Sequence, residues 1–351
     1  MARELNMTMR GPWGDMDPIE DDAGLRGISA IQKYTRMRRG DPTCAAMYWV
    51  LTLPIRNVTW TFEPGGDGTA DDEAAAEFVE SALDDMSMSF AGFLSDVCSM
   101  FTYGWSWFRM VMKRRREGQS KYDDGLVGFK KLKQVPHRAF VRWVFDEGTG
   151  DIEGLTVRTK QGNKTITLGE SLLFRTSREG DDPEGISIYR PAVRPYEYKR
   201  RLEKTEGIGL YRRWAGFPKV TYSEVPTDMT EEEIEAKAEE IAVGIYKDRL
   251  MGYYGPDTIN VELGGPEGTI DTTMGDTIIR KDAEMTRAIL AQWLLLGLKS
   301  VGTQALAKTL FEGYELALGA YLDIIAKVVN RYAIPYLFRF NQDGFAGMTG
   351  L

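Results

Sequence analysis

The sequence predicts an α+β protein, and three observations carry that prediction. Helical periodicity fills both ends of the chain, whereas the middle alternates with period two. In the last third, two apolar helical arms meet at a break of mostly small residues, Gly297-Leu298-Lys299-Ser300-Val301-Gly302-Thr303. With 351 residues the chain is long enough for two or three modules and a sizeable core.

Taken in order, residues 1–26 read as a flexible, acidic, Pro/Gly-punctuated arm without the apolar stretch of a signal peptide. Gly27 to Val50 reads as helix with Ile28, Ile31, Tyr34 and Arg38 on one side. It breaks at Gly40-Asp41-Pro42, where Pro42 suits the first turn of a second helix running to Leu53. Val58 to Glu63 alternates like a strand and stops at Pro64-Gly65-Gly66. Asp72 to Met86 is an acidic helix, and Phe90, Phe93, Leu94, Val97 and Phe101 form a second apolar helical face.

From Tyr103-Gly104-Trp105 the period changes to two. Segments near Trp105–Lys113, Ala139–Phe145, Ile152–Arg158, Lys164–Leu168 and Leu172–Thr176 read as an antiparallel sheet. Ile186 to Trp214 reads as a long helix broken near Pro191, Pro195 and Gly207–Gly209. Phe217–Tyr222 is a strand, Thr230 with Glu233 makes a capping box that opens a helix to Tyr246, and Met251–Leu263 is strand-like. The closing arms are Asp276–Leu296 and Ala305–Arg331.

Composition excludes several functions. Lys+Arg is 44 against Asp+Glu 52, a net charge of −8, so the chain is not a generically basic nucleic-acid binder. Cys44 and Cys98 stand far apart in no metal-binding spacing and read as buried small hydrophobes of a soluble, intracellular protein. The apolar run 288–298 is about half of a bilayer span. His137 is the single histidine, so a His-based zinc site is excluded, and it reads as structural. Gly297-Leu298-Lys299-Ser300 lacks the glycine directly before lysine that a phosphate loop needs. Gly207-Ile208-Gly209 follows a helix rather than a strand and makes no dinucleotide fingerprint. Acidic pairs such as Asp71-Asp72, Asp84-Asp85 and Asp181-Asp182 read as helix starts and turns. No cofactor is expected.

Two charge features remain. The segment 189–213 carries Arg190, Arg194, Lys199, Arg200, Arg201, Lys204, Arg212 and Arg213, with Arg194, Arg201 and Lys204 near one side. The helix opened by Thr230 is acidic at Glu231, Glu232, Glu235 and Glu239. Its narrow apolar stripe, Ile234, Ala238, Ile241 and Ile245, is either core or a docking surface for another protein.

Several ordered motifs then resemble the tailed-phage portal proteins, in the branch that includes Mu-like portals. They are Tyr34-Thr35-Arg36-Met37 with Asp41-Pro42, Leu53-Pro54-Ile55, Trp60-Thr61-Phe62 and Phe101-Thr102-Tyr103-Gly104-Trp105-Ser106. Val135-Pro136-His137-Arg138-Ala139-Phe140 with Trp143-Val144-Phe145-Asp146, and Pro183-Glu184-Gly185-Ile186-Ser187, follow. Leu290-Ala291-Gln292 through Gly302, and Val329-Asn330-Arg331 to Phe340-Asn341, close the set.

The resemblance implies a portal-type fold with a mixed α/β wing, a two-helix stem, a small α/β clip and C-terminal helices. Carried onto this chain, it implies a wing over 27–183, a first stem helix over 184–214, a clip over 215–265 and a second stem helix over 275–296. It further implies a tunnel loop over 297–304, C-terminal wing or crown helices over 305–341 and a tail over 342–351. A ring of commonly twelve copies at one capsid vertex would pass double-stranded DNA. Its partners would be terminase, a head–tail adaptor and the major capsid protein, with no membrane, in virions assembled in the host cytoplasm. DNA would meet Lys299, Ser300, Thr303 and Gln304, the stem's basic band would be Arg194, Arg201 and Lys204, and partners would dock on Glu231, Glu232, Glu235 and Glu239. The competing classes are another virion ring or scaffold protein, such as an adaptor or minor capsid protein, and a carboxylate-dependent hydrolase.

Overall fold

A computed structural model describes residues 3–4, 10–11, 14–15, 22–65, 68–146, 148–177, 179, 182–215, 217–223, 225, 229–246, 259–264, 273–289 and 304–341. The fold is α+β, and the chain divides into two units: Met1–Val193 with Ala283–Leu351, and Arg194–Asp282.

The first unit begins with two helices, α1 (Gly27–Gly40) and α2 (Pro42–Asn57). Asp41 ends one and caps the other: its carboxylate accepts from Cys44 N at 2.9 Å, and Pro42 fits the first turn because its missing N–H would have no partner there. Ala30, Ile31, Tyr34 and Met37 form the inner face of α1, while Ile28, which the expected stripe included, is exposed. Residues 58–65 are not a strand. Their alternation is genuine in burial, since Trp60 and Phe62 each meet the Phe90 ring edge-on, but among the described residues no strand pairs with them to complete a ladder. Next come α3 (Ala70–Asp84), capped by a reciprocal Thr69–Asp72 box, then α4 (Phe90–Val97) and α5 (Ser99–Tyr103).

Two antiparallel sheets follow where the sequence suggested one. The first is β1 (Trp105–Arg114) flanked by β2 (Val127–Gln134) and, further on, β6 (Ser171–Arg175). The second contains β3 (Phe140–Phe145), β4 (Ile152–Thr159) and β5 (Gly162–Thr167), with Arg3–Glu4 paired to Phe145 and Val144. Strand β1 is central to the unit. Trp105 and Trp107 face the second sheet, where they join Phe140, Trp143, Leu155 and Val157, while Phe108 turns to Phe93 of α4 and Phe174 of β6. Burial on both faces explains why its first half reads as a continuous apolar run. Strand β2 escaped the sequence reading because lysines at 130, 131 and 133 and a register shift between Val111 and Met112 obscure its period.

The chain returns to this unit through α9 (Gln304–Val328), a π turn at Val329–Ala333 and α10 (Ile334–Arg339). Pro335 has no N–H to give the preceding turn, which accounts for the widening there. Tyr314 Oη donates to Val50 O at 2.6 Å, Tyr321 stacks edge-on against Phe101, and the Asn341 amide clamps both backbone groups of Val127.

Distant motifs meet at one point of this unit. Gly104, at φ +88°, ends α5 so tightly that a Cβ on it would overlap the carbonyl oxygen of Gly185. A Cβ on Gly185 would in turn meet Gly104 O and stand 2.8 Å from Thr176 Oγ1. Around this glycine pair, Thr176 N donates to Gly104 O, Ser187 Oγ donates to Thr102 O at 2.6 Å, and Tyr189 Oη donates to Cys44 O. Trp143 Nε1 donates to the Glu184 carboxyl at 3.1 Å, and His137 Nε2 donates to Trp105 O at 2.7 Å. Burial raises Glu184 to about 7, opposed by the Trp143 hydrogen bond and reinforced by nearby Asp182. Burial lowers His137 to about 4, and its ring lies between Tyr103 and Trp105. Cys44 and Cys98 are buried free thiols, the latter pushed up to about 12 by its apolar surroundings.

The second unit holds α6 (Val193–Ala215), β7 (Phe217–Tyr222), α7 (Glu231–Tyr246), β8 (Ile259–Gly264) and the start of α8 (Thr273–Arg287). Residues 188–192 are turns, not the start of a helix, because Pro191 and Pro195 delay the first helical hydrogen bonds. Once begun, α6 runs unbroken through Gly207 and Gly209, against expectation. The sequence-predicted helix to Leu296 is seen as far as Arg287, and the strand-like residues 251–258 lie outside the described residues.

Two outcomes test the glycine junction. Gly104→Ala is expected to cost about 3 kcal/mol or more, combining ~1–2 kcal/mol for positive φ with the Gly185 overlap. Gly118→Ala, also at positive φ but with open space around it, isolates the smaller backbone cost, and equal melting points for the two variants would refute the overlap. Raised in the fold, the Glu184 pKa gives stability that is complete below about 4.5 and fades as pH rises through about 7. His137 works in the opposite sense, its stability being lost as pH falls from 6.5 toward 4. Between pH 6.5 and 8, chemical denaturation should therefore show wild type losing on the order of 1 kcal/mol that Glu184→Gln does not lose.

Candidate functional site

The second unit is built on one small apolar cluster. Ile234 and Ile241 of α7 are buried against Ile259 of β8, with Val220, Tyr222 and Val261 closing the sides. Strands β7 and β8 pair antiparallel from Phe217↔Gly264 to Tyr222↔Ile259. The apolar stripe of α7 is thus core, which rules out Ile234 and Ile241 as the docking surface that the sequence left open.

Most of what remains outward on α7 is acidic, Ala236 and Val243 being the exposed apolar residues among those described. Glu233 is committed to the helix start: Thr230 N donates to its carboxylate at 2.8 Å, which holds its pKa below the usual glutamate range. Glu231, Glu232, Glu235 and Glu239 are all exposed. Glu231 and Glu232 lie in the first turn, where the helix dipole favours negative charge. Glu235 and Glu231 also flank Tyr222, whose phenol is raised first by partial burial and then by these two carboxylates. The four acids therefore form a solvated band that projects from the helix while its opposite face is fixed on the sheet.

On α6 the cations separate into two groups. Arg194, Arg201 and Lys204 are exposed, within an arc of one helix side, and none has an ion pair among the described residues. Lys199 is different. It is 4% exposed, and its ammonium contacts Asp282 of α8 at 2.7 Å and Glu203 at 3.8 Å. Lys281 of α8 lies over the Tyr198 ring, and Arg200 over Tyr196, so aromatic residues of α6 support cations of both helices. The sequence reading grouped Lys199 with the other cations. The helical wheel held the distinguishing signal, because Lys199 lies roughly 140° from Arg194 and on the side of buried Tyr196.

Lys299, Ser300 and Thr303 lie outside the described residues; Gln304 opens α9. Among the described residues no group of three or more His, Cys, Asp or Glu side chains is placed to hold a metal ion, and no helix is long and apolar enough to cross a membrane. His137 has its donor engaged by a backbone carbonyl in the core.

The family described as the portal protein of Mu bacteriophage matches residues 31–349 of the chain. No curated protein matches significantly. Solved structures with a similar fold include the virion of a native gene transfer agent particle, at TM-score 0.53 and 11% identity, covering 97% of this chain and 94% of that one. The neck of an empty particle computed with C6 symmetry gives TM-score 0.56 and 11% identity, with 91% and 82% covered. The neck of a native particle computed with C12 symmetry gives 0.54 and 12%, with 86% and 81% covered. At these identities the likeness is one of fold.

Proposed function

The chain belongs to the portal protein family of Mu bacteriophage, and from that premise we propose that its copies close into a ring at one vertex of a phage capsid. DNA enters and leaves through the axis, while the packaging motor and then a tail adaptor dock on the outer end. The observation that carries this reading is a family match over nearly the whole chain, joined to a fold shared with neck assemblies. The C12 symmetry of one such neck supports twelve copies.

Physical chemistry favours a conduit over a grip. A continuous basic patch would hold DNA through counterion release, whereas a net charge of −8 with scattered cations lets a polyanion slide. In this reading α6 and α8 form the stem, with Arg194, Arg201 and Lys204 as a thin cationic band. The segment Gly297–Gln304, in which Lys299 is the sole charge, lines the bore. The acidic band of α7 meets cationic surfaces of the motor or adaptor. No catalytic step is assigned to the chain; the partner enzyme supplies the work of packaging.

Negative-stain microscopy of the purified chain should reveal rings with a central hole, and a monodisperse monomer at all concentrations would defeat the reading. Lys299→Glu is expected to leave those rings intact while lowering DNA packaging or retention severalfold. Charge reversal at Glu235 and Glu239 should weaken adaptor or motor binding at least ~10-fold and restore it partly at high salt, as screening predicts; unaltered binding would remove α7 from the docking surface.

A further inference from the structure

Helix α2 has two apolar faces, and among the described residues only one is covered. Cys44, Met47, Leu51 and Ile55 are buried inside. On the other side Pro42, Ala46, Trp49 and Leu53 recur every three or four residues and are all exposed, Trp49 at 48% and Leu53 at 53%. A solvated helix normally carries charge or polar groups there. A stripe with a tryptophan at its centre instead has the composition of an interface core. Cations bound it at both ends, Arg39 just before Pro42 and Arg56 one turn past Leu53. Both are exposed, and neither has an ion pair among the described residues.

The same unit carries a surface of opposite character. Glu73, Glu77 and Glu80 follow one another along the exposed side of α3, and no cation occurs between Glu63 and Asp85. The neighbouring side of α3 borders a cleft of about 330 Å³ whose apolar lining includes Trp60, Phe62, Val79 and Phe90 and whose acids are Glu63 and Asp72. An apolar stripe rimmed by cations and an apolar cleft rimmed by acids, on different elements of one chain, match in both polarity and charge. Contact between two unlike patches of identical subunits is head-to-tail, the kind that generates rings.

We propose that the Pro42–Ala46–Trp49–Leu53 stripe of one copy packs on the α3 cleft of a second copy, with Arg39 and Arg56 facing its glutamates. This deepens the ring reading and rests on it. The stripe is the apolar anchor of the contact, and the charges set its direction by penalising like-to-like pairing.

Light scattering and negative-stain microscopy of the full chain test it. Trp49→Glu with Leu53→Glu should weaken ring assembly at least ~100-fold, leaving monomers with unchanged circular dichroism, since both side chains are exposed. Arg39→Glu with Arg56→Glu should also weaken rings, and adding Glu73→Arg with Glu77→Arg should restore them; this second series introduces no charge at an apolar position. Wild-type rings that persist in the stripe variant, or a reversed pair that restores nothing, overturn the proposal and leave the ring reading standing. A wild-type chain that never forms rings overturns the ring reading and this contact together.

Discussion

The first unit depends on a backbone contact that only two glycines allow. Gly104 and Gly185 are 81 residues apart, and each leaves no room for a Cβ on the other. Two of the chain's passages between helix and sheet meet at this contact. Gly104 turns the chain from α5 into β1, and Gly185 brings the segment after β6 back against that turn. Thr176 and Ser187 then satisfy carbonyls that the turn would leave buried and unpaired, and Tyr189 ties the returning segment to Cys44 O of α2.

Two titratable groups have been enclosed next to this junction, and the surroundings disfavour charge on both. His137 is buried with one hydrogen bond to a carbonyl, which a neutral ring can satisfy. Glu184 is buried with a single indole donor, so its pKa climbs to about 7. Elsewhere in this unit buried charge stands beside a partner, Asp85 with Lys113 at 2.8 Å and Arg115 with Asp124 at 3.0 Å. The second unit does the same. There Lys199 stays charged because Asp282 and Glu203 are in reach, and the pair links α6 to α8.

The distribution of what is inward and what is outward supports a scaffold. The apolar stripe of α7 is consumed by β7 and β8, which leaves mostly acids as the outward face of the helix. Arg194, Arg201 and Lys204 of α6 face solvent without ion pairs among the described residues. On α2 the reverse holds, since an apolar face is left outward although the inner face is already well packed.

Much of the fold was legible because it is local. The Asp41-Pro42 and Thr230–Glu233 helix starts, the strands near Trp105, Phe140, Ile152 and Ser171, and the neutral character of His137 follow from capping chemistry, period-two alternation and a shortage of partners. Ordered motifs carried the family. The division into two sheets, the hidden strand β2 and the coil at 58–65 were not legible, because a strand exists only where a second one lies beside it. Period alone does not supply that neighbour. Nor could helical spacing tell which face of α2 or α7 would be covered, or supply the Asp282 carboxylate that meets Lys199 from a distant helix. Short-range sterics and hydrogen-bonding fix which elements form, so the sequence by itself determined them. Which surfaces are spent in the core and which are left to meet other molecules depends on contacts between residues far apart in the chain, and the tertiary structure alone decided that.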